Sequence, residues 1–249
     1  MTPIQAKLRL FGAWCGPAYL LLLFVGWGAF AGFLPPVAPS RTAGEIAQIF
    51  QGNTNGIRIG MVLVMWSAGV FIFFAAAIGQ FLSKIEGGAG VLTYGVLIGG
   101  CGNMVLTFYP AVWWLVAAYR PERAADLTYI FNDMAWLQFI GGVSMFAAMP
   151  VAIALAAFID KSPDPVFPRW AGYFNFMVVM LIIPDQLLFF FHSGPWSWNG
   201  LFGLWIPVVL FGTWFLVTFY LMRAAVLRAT RNPRPAVESL DAIPTATGG

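Results

Sequence analysis

Long apolar runs separated by short polar connections dominate this chain. They cover about 10–33, 57–83, 91–118, 129–158, 171–192 and 199–228. Each suffices to cross a bilayer, which takes about 20 helical residues, with tilt taking up any excess. The pattern predicts an all-α membrane protein: a bundle of six transmembrane helices over 1–228, with 229–249 as a disordered cytoplasmic tail. In that tail, "ATRNPRPAVESLDAIPTATGG", the apolar pattern gives way to Pro, Thr and Gly.

The connection after the first run reads "PSRTAGEIAQIFQGN". Thr42 and Glu45 have capping-box spacing ahead of Ile46, Ile49 and Phe50, which recur at helical intervals, so a short amphipathic helix is expected in this first outer loop. Pro35, Pro36 and Pro39 are expected to end the first span. Small residues recur four apart in Gly12/Gly16, Gly28/Gly32, Gly56/Gly60 and Gly95/Gly99, a spacing that lets helix backbones approach closely in lipid. Pro17, Pro110, Pro150, Pro184 and Pro207 lie in or near spans and mark places where a helix can bend.

Composition agrees with the periodicity. Of 249 residues, 60% are hydrophobic and 9% charged, with a mean hydropathy of +0.79, whereas soluble domains carry about 25% charged residues. Charge then sets orientation. With the N-terminus cytoplasmic, the inner segments hold Lys7, Arg9, Lys84, Lys161, Arg169, Arg223, Arg228, Arg231 and Arg234, against Arg41, Arg58, Arg120 and Arg123 outside. This asymmetry predicts a multi-pass bacterial inner-membrane protein with both termini cytoplasmic. Because the basic residues sit in short loops that set topology, the net charge of +3 does not indicate a nucleic-acid partner. The first run ends in Ala29-Phe30-Ala31, like a signal-peptidase site, but it exceeds the 7–15 residues of a secretory h-region and reads as a retained anchor.

The chemistry-bearing residues are few. An ionised carboxylate is costly in hydrocarbon, so an embedded acid normally faces the bundle interior and pairs with something. Asp133 in the fourth run and Asp185 in the fifth are the two candidates, at similar depth in the outer half. Seven residues separate Asp185 from His192, the only histidine, and seven separate Asp126 from Asp133; on an α-helix that is nearly two turns, which puts each pair on one face. The expected site is a polar column of Asp133, Asp185, Gln186 and Asn132 opening outward under His192. Arg58 stands at the outer boundary to pair with an acid. Asn103, Thr107, Gln138, Ser144 and Ser67 would continue the column toward the midplane. Trp113, Trp114, Tyr119, Tyr129, Trp196, Trp198 and Trp205 gather toward the outer interface as an aromatic belt, a rim able to admit a hydrophobic ligand.

Other chemistries lack their residues. One histidine cannot supply a bis-His haem or a multi-His iron centre. Cys15 and Cys101 have no CxxC or His-rich companions, and no GxSxG, Walker A or post-strand GxGxxG appears. With Lys7, Lys84 and Lys161 all at inner ends, no lysine is placed for a retinal Schiff base. No cofactor and no metal site is therefore expected.

The loop "DKSPDPVFPRWAGYFN", 160–175, and the hairpin "FFFHSGPWSWNGLFGLW", 189–205, resemble segments of a group of uncharacterised bacterial six-span membrane proteins. That resemblance, mainly over 160–220, implies six helices and carries no active-site residue with it.

The leading expectation is an integral membrane protein that binds a small, largely hydrophobic molecule in an outward-facing vestibule, as a transporter or carrier. The expected partners are the lipid bilayer and that ligand, with a homo-oligomer or larger membrane complex as a further possibility. The alternative is a non-catalytic accessory subunit of such a complex. A membrane enzyme using paired carboxylates comes third, because no nucleophile, metal or cofactor signature joins the acids.

Overall fold

The computed structural model describes residues 2–231. Its helices in chain order are α1 Pro3–Phe30, α2 Ala43–Gly52, α3 Thr54–Glu86, α4 Val91–Tyr119, α5 Ala125–Ile159, α6 Arg169–Phe189 and α7 Leu201–Arg231. All but α2 are long and apolar enough to cross a membrane, and no strand occurs among the described residues. α7 runs on to Arg231; the rest of the expected tail lies outside the described residues.

Local chemistry explains where the helices begin and end. α1 starts well before the apolar run because Thr2 and Gln5 close a capping box around Pro3. It stops at Phe30, short of the prolines: Gly32 takes a φ of +70°, and Asn53 Nδ2 donates to the carbonyls of Phe30 and Ala31 at 3.0 and 3.2 Å. In α2 the Thr42 hydroxyl accepts from the Glu45 N–H while the Glu45 carboxylate accepts from the Thr42 N–H at 2.8 Å. The helix buries Ile46, Ala47 and Phe50 and packs against the first half of α5.

The Thr42 N–H, the Arg41 side chain and the Thr42 hydroxyl together pull the Glu45 carboxyl down to about 2. The stabilisation this gives α2 is fully present above the unfolded carboxylate value and is lost as pH falls from about 4.5 through about 2. Amide exchange should therefore show the first turn of α2 losing protection over that window while the first turn of α1, whose box uses the uncharged Gln5, keeps its own.

The six long helices close a ring in which α1 packs on α3, α3 on α4, α4 on α5, α5 on α6, α6 on α7, and α7 back on α1. Small residues set several of the contacts. A Cβ on Gly12 would lie 2.7 Å from that of Ala77, one on Gly100 2.8 Å from that of Ala75, and one on Gly102 2.7 Å from that of Met145. Gly26 and Gly60 bring the α1 and α3 backbones together, each occupying space beside the other's carbonyl oxygen. The small-residue faces at Gly12, Gly16, Gly60 and Gly99 are thus used within one chain. Tyr19, Phe71, Phe74, Phe146, Trp214 and Phe215 fill the end of the ring nearer the termini, with Tyr19 stacked on Phe215 at 4.9 Å and Phe74 on Phe215 at 5.2 Å. Toward α2 the filling is Trp27, Phe33, Trp114, Trp136 and Trp198.

Four of the six spans depart from α geometry. α1 ends in a π-helical turn, Val25–Phe30; α5 is interrupted around Gly142 and Ala147; α6 ends as a 3-10 helix, Ile183–Phe189; α7 begins with a π-helical turn, Leu201–Trp205. Prolines account for three. Pro150, Pro184 and Pro207 have no N–H for the carbonyl four residues earlier; Pro150 and Pro207 stand in the first turn of the α segment that follows the irregularity, and Pro184 in the first turn of the 3-10 segment itself. The α1 departure has no proline and coincides with the tight Gly26–Gly60 approach.

Candidate functional site

A cavity of about 60 Å³ lies inside the ring, within a recess of about 570 Å³ when its open side is included. α1 contributes Tyr19, Leu23, Phe24 and Trp27; α4 contributes Leu106 and Thr107; α5 contributes Phe139, Ile140, Val143 and Phe146. Ile182 of α6 and Pro207, Val208 and Phe211 of α7 complete the lining. The irregular backbone borders this space. Trp27 sits in the α1 π turn, Val143 and Phe146 between the breaks of α5, Ile182 just before the 3-10 segment, and Pro207 just past the α7 π turn. At membrane depth, departures from α geometry are tolerated where they are buried in protein or line a cavity, and π turns concentrate at functional sites.

Tyr19 and Thr107, the hydroxyl-bearing residues of the lining, belong to a knot between α1 and α4 that Asn103 completes from behind the wall. Tyr19 Oη and Thr107 Oγ1 are 2.9 Å apart, Thr107 Oγ1 donates to the Asn103 carbonyl at 3.0 Å, and Asn103 Nδ2 donates to Tyr19 Oη at 3.4 Å. Asn103 Oδ1 accepts nothing among the described residues. The sequence pattern put Asn103 and Thr107 on an inward continuation of the acidic column, whereas here they bond to Tyr19, which it missed and whose hydroxyl is recognisable only once α1 is known to face α4.

Asp185 is fully buried, and neither carboxylate oxygen has a hydrogen-bond partner among the described residues. Its position follows from the 3-10 geometry, in which side chains three apart eclipse. Ile182, Asp185 and Leu188 are all buried, a stripe with a period of three, and Ile182 lines the recess. The expected Asp185–His192 face assumed α-helical periodicity and does not form: the helix has ended by Phe190, and His192 is exposed.

The other expected column residues fall into separate places. Asp133 is half-buried on α5 and within electrostatic reach of His192 and Tyr129. Asn132 Nδ2 lies beside Asp133 without meeting hydrogen-bond geometry. Asp126 is exposed. Gln186 donates to the Gly141 carbonyl at 3.0 Å, bridging α6 to the break in α5, which establishes that these two spans are neighbours. Arg58 meets no acid among the described residues; its guanidinium donates to the Ala118 and Tyr119 carbonyls at 2.9 to 3.2 Å and closes the C-terminus of α4. Gln138 accepts from Trp113 Nε1 at 2.8 Å, Ser67 bonds back to Val64, and Ser144 is exposed. No three His, Cys, Asp or Glu side chains among the described residues gather as metal ligands. The single column therefore divides into Asp133 and His192, within electrostatic reach of each other near the α2 end, and a separate Asp185 next to the recess-lining Ile182 stripe.

The expected aromatic belt is partly interior. Trp114, Trp136, Trp27 and Trp198 are buried, and Trp198 Nε1 donates to the Val37 carbonyl at 2.8 Å while its ring stacks over Trp136. The indole N–H groups of Trp27, Trp114 and Trp136 have no acceptor among the described residues.

No protein-family model matches the chain, and neither a curated protein nor a solved structure gives a match. The fold and its apolar helices define the class: an all-helical, multi-pass integral membrane protein.

Proposed function

We propose that the protein binds and carries a small, largely hydrophobic molecule in the recess inside its helix ring. The observation that supports this most directly is that two irregular helix segments, and the residues flanking two more, line one almost wholly apolar space. Regular helices close a ring more tightly; the enclosed part of the recess, about 60 Å³, is smaller than the roughly 300–1,000 Å³ of ligand sites, so a ligand would occupy the open side as well. Asp185 is assigned as a proton-binding group beside the recess, and Asp133 with His192 as a polar element near its α2 end. Topology puts Lys7, Arg9, Lys84, Lys161, Arg169, Arg228 and Arg231 near one end of the bundle and Arg41, Arg58, Arg120 and Arg123 near the other. That asymmetry supports cytoplasmic termini in a bacterial inner membrane, with the α2 end facing outward.

Photolabelling tests the reading. In nanodiscs, an alkane bearing a mid-chain diazirine should crosslink to recess residues such as Val143 and Phe146 as well as to the lipid-facing surface. Val208→Trp, which fills the recess, should abolish the interior crosslinks and spare the surface ones. Labelling confined to the surface in the native protein would end the proposal.

A further inference from the structure

The wall of the recess includes facing residues of α1 and α7, and its polar knot bears on the chemistry of what enters. α1 and α7 hold together toward their terminal ends, where Trp14 meets Phe219 at 4.6 Å and Tyr19 stacks on Phe215. Beyond that level they part: the α1 π turn packs on α3, and the α7 π turn packs on the 3-10 segment of α6. Phe24 on one helix and Val208 and Phe211 on the other stand at this divergence, half-buried and lining the recess. These are membrane-spanning segments, so what lies against the gap is hydrocarbon.

The knot then sets polarity. In the arrangement that leaves no hydroxyl hydrogen unused, Tyr19 donates to Thr107, Thr107 donates to the Asn103 carbonyl, and Asn103 Nδ2 donates to Tyr19. Both hydroxyl hydrogens and one Asn103 N–H are then engaged, while oxygen lone pairs remain on Tyr19 and Thr107, which line the recess, and on Asn103 Oδ1 behind them. An unpaired acceptor in an apolar interior is costly, and an incoming donor removes that cost. The one unengaged donor among the lining side chains is the indole N–H of Trp27, eight residues along α1 from Tyr19.

We infer that the ligand is a lipid-soluble alcohol, an apolar chain or ring system carrying a hydroxyl group, that passes from the bilayer between α1 and α7 and donates its hydroxyl hydrogen to the Tyr19–Asn103–Thr107 knot. This rests on the recess being a ligand site and adds to that reading the class of ligand and its route.

Two photolabels of equal length separate the claims: a long-chain alcohol with a mid-chain diazirine, and its methyl ether, which keeps the acceptor oxygen and loses the donor. In nanodiscs the alcohol should label recess residues at least about threefold more than the ether, the size expected for one hydrogen bond. It should also mark Phe24 and Val208. Tyr19→Phe should bring the alcohol-to-ether ratio toward one, and Thr107→Val provides the same readout from α4 if the first variant is poorly folded. Equal labelling of the recess by both probes overturns the alcohol inference, points to Trp27 as the polar handle, and leaves the ligand site standing. Recess labelling that persists when a Phe24→Cys/Val208→Cys disulfide, in a background without Cys15 and Cys101, closes the gap overturns the route. No interior labelling by either probe removes the site itself.

Discussion

Asp185→Leu is expected to leave the protein at least as stable as the native chain, with a gain of about 1–2 kcal/mol, while abolishing any proton-coupled movement of ligand. The stability side follows from what Asp185 touches. Its oxygens are buried and receive no hydrogen bond among the described residues, so the substitution breaks no bond and removes two unsatisfied acceptors. Leucine has the same branched skeleton, and its added bulk offsets part of the gain. A structural role predicts the opposite, because removing one member of a buried, bonded charge pair costs about 3–5 kcal/mol. Thermal unfolding in nanodiscs decides between them: a fall of several degrees would show that Asp185 holds the bundle together. Asp185→Asn completes the comparison. It keeps the shape and most of the polarity but cannot gain or lose a proton, so a pH gradient should no longer drive ligand movement in proteoliposomes. An Asn variant that still couples would transfer that role to Asp133 and His192.

The residues whose roles remained hidden in the sequence were hidden for three physical reasons. Six spans are legible because a bilayer demands long apolar stretches whatever the fold, and the α2 capping box is legible because Thr42 and Glu45 are local to each other. Pro150, Pro184 and Pro207 are visible too, and each marks a real departure from α geometry. What a proline does not reveal is which geometry replaces the α-helix. At Asp185 the difference between 3.6 and 3.0 residues per turn decides its neighbours: it shares a face with Ile182 and Leu188 instead of His192. Arg58 was read as a partner for acids because side-chain motifs make charges visible, whereas the carbonyls it binds belong to the backbone end of α4. Tyr19 was silent for a third reason. A tyrosine in an apolar run looks like packing until a partner 88 residues away is placed against its hydroxyl.

Gly60→Ala should destabilise the protein by about 3 kcal/mol, at the upper end of overpacking costs, and Gly60→Val should prevent recovery of a monodisperse protein. A Cβ at Gly60 would run into the Gly26 carbonyl oxygen, with the Ala31 N–H 3.0 Å away on its other side. Both obstacles are backbone, so no rotamer change relieves them, and the two helices must separate. Separation reaches the recess directly, since Gly26 precedes Trp27 in the π turn, and Trp27 packs against Trp136 at 5.9 Å and Phe139 at 5.3 Å. Gly69 on the same helix is the control. A Cβ there meets nothing within 4 Å, so Gly69→Ala should be tolerated and gain up to about 1 kcal/mol of helix propensity. Unfolding of the two alanine variants side by side separates a general effect on α3 from the α1–α3 contact, and equal stability would mean that α1 and α3 do not cross at Gly26 and Gly60. If the ordering holds, recess labelling should fall in Gly60→Ala below its melting point and persist in Gly69→Ala, because it is the Gly26–Gly60 approach that holds Trp27 at the wall of the site.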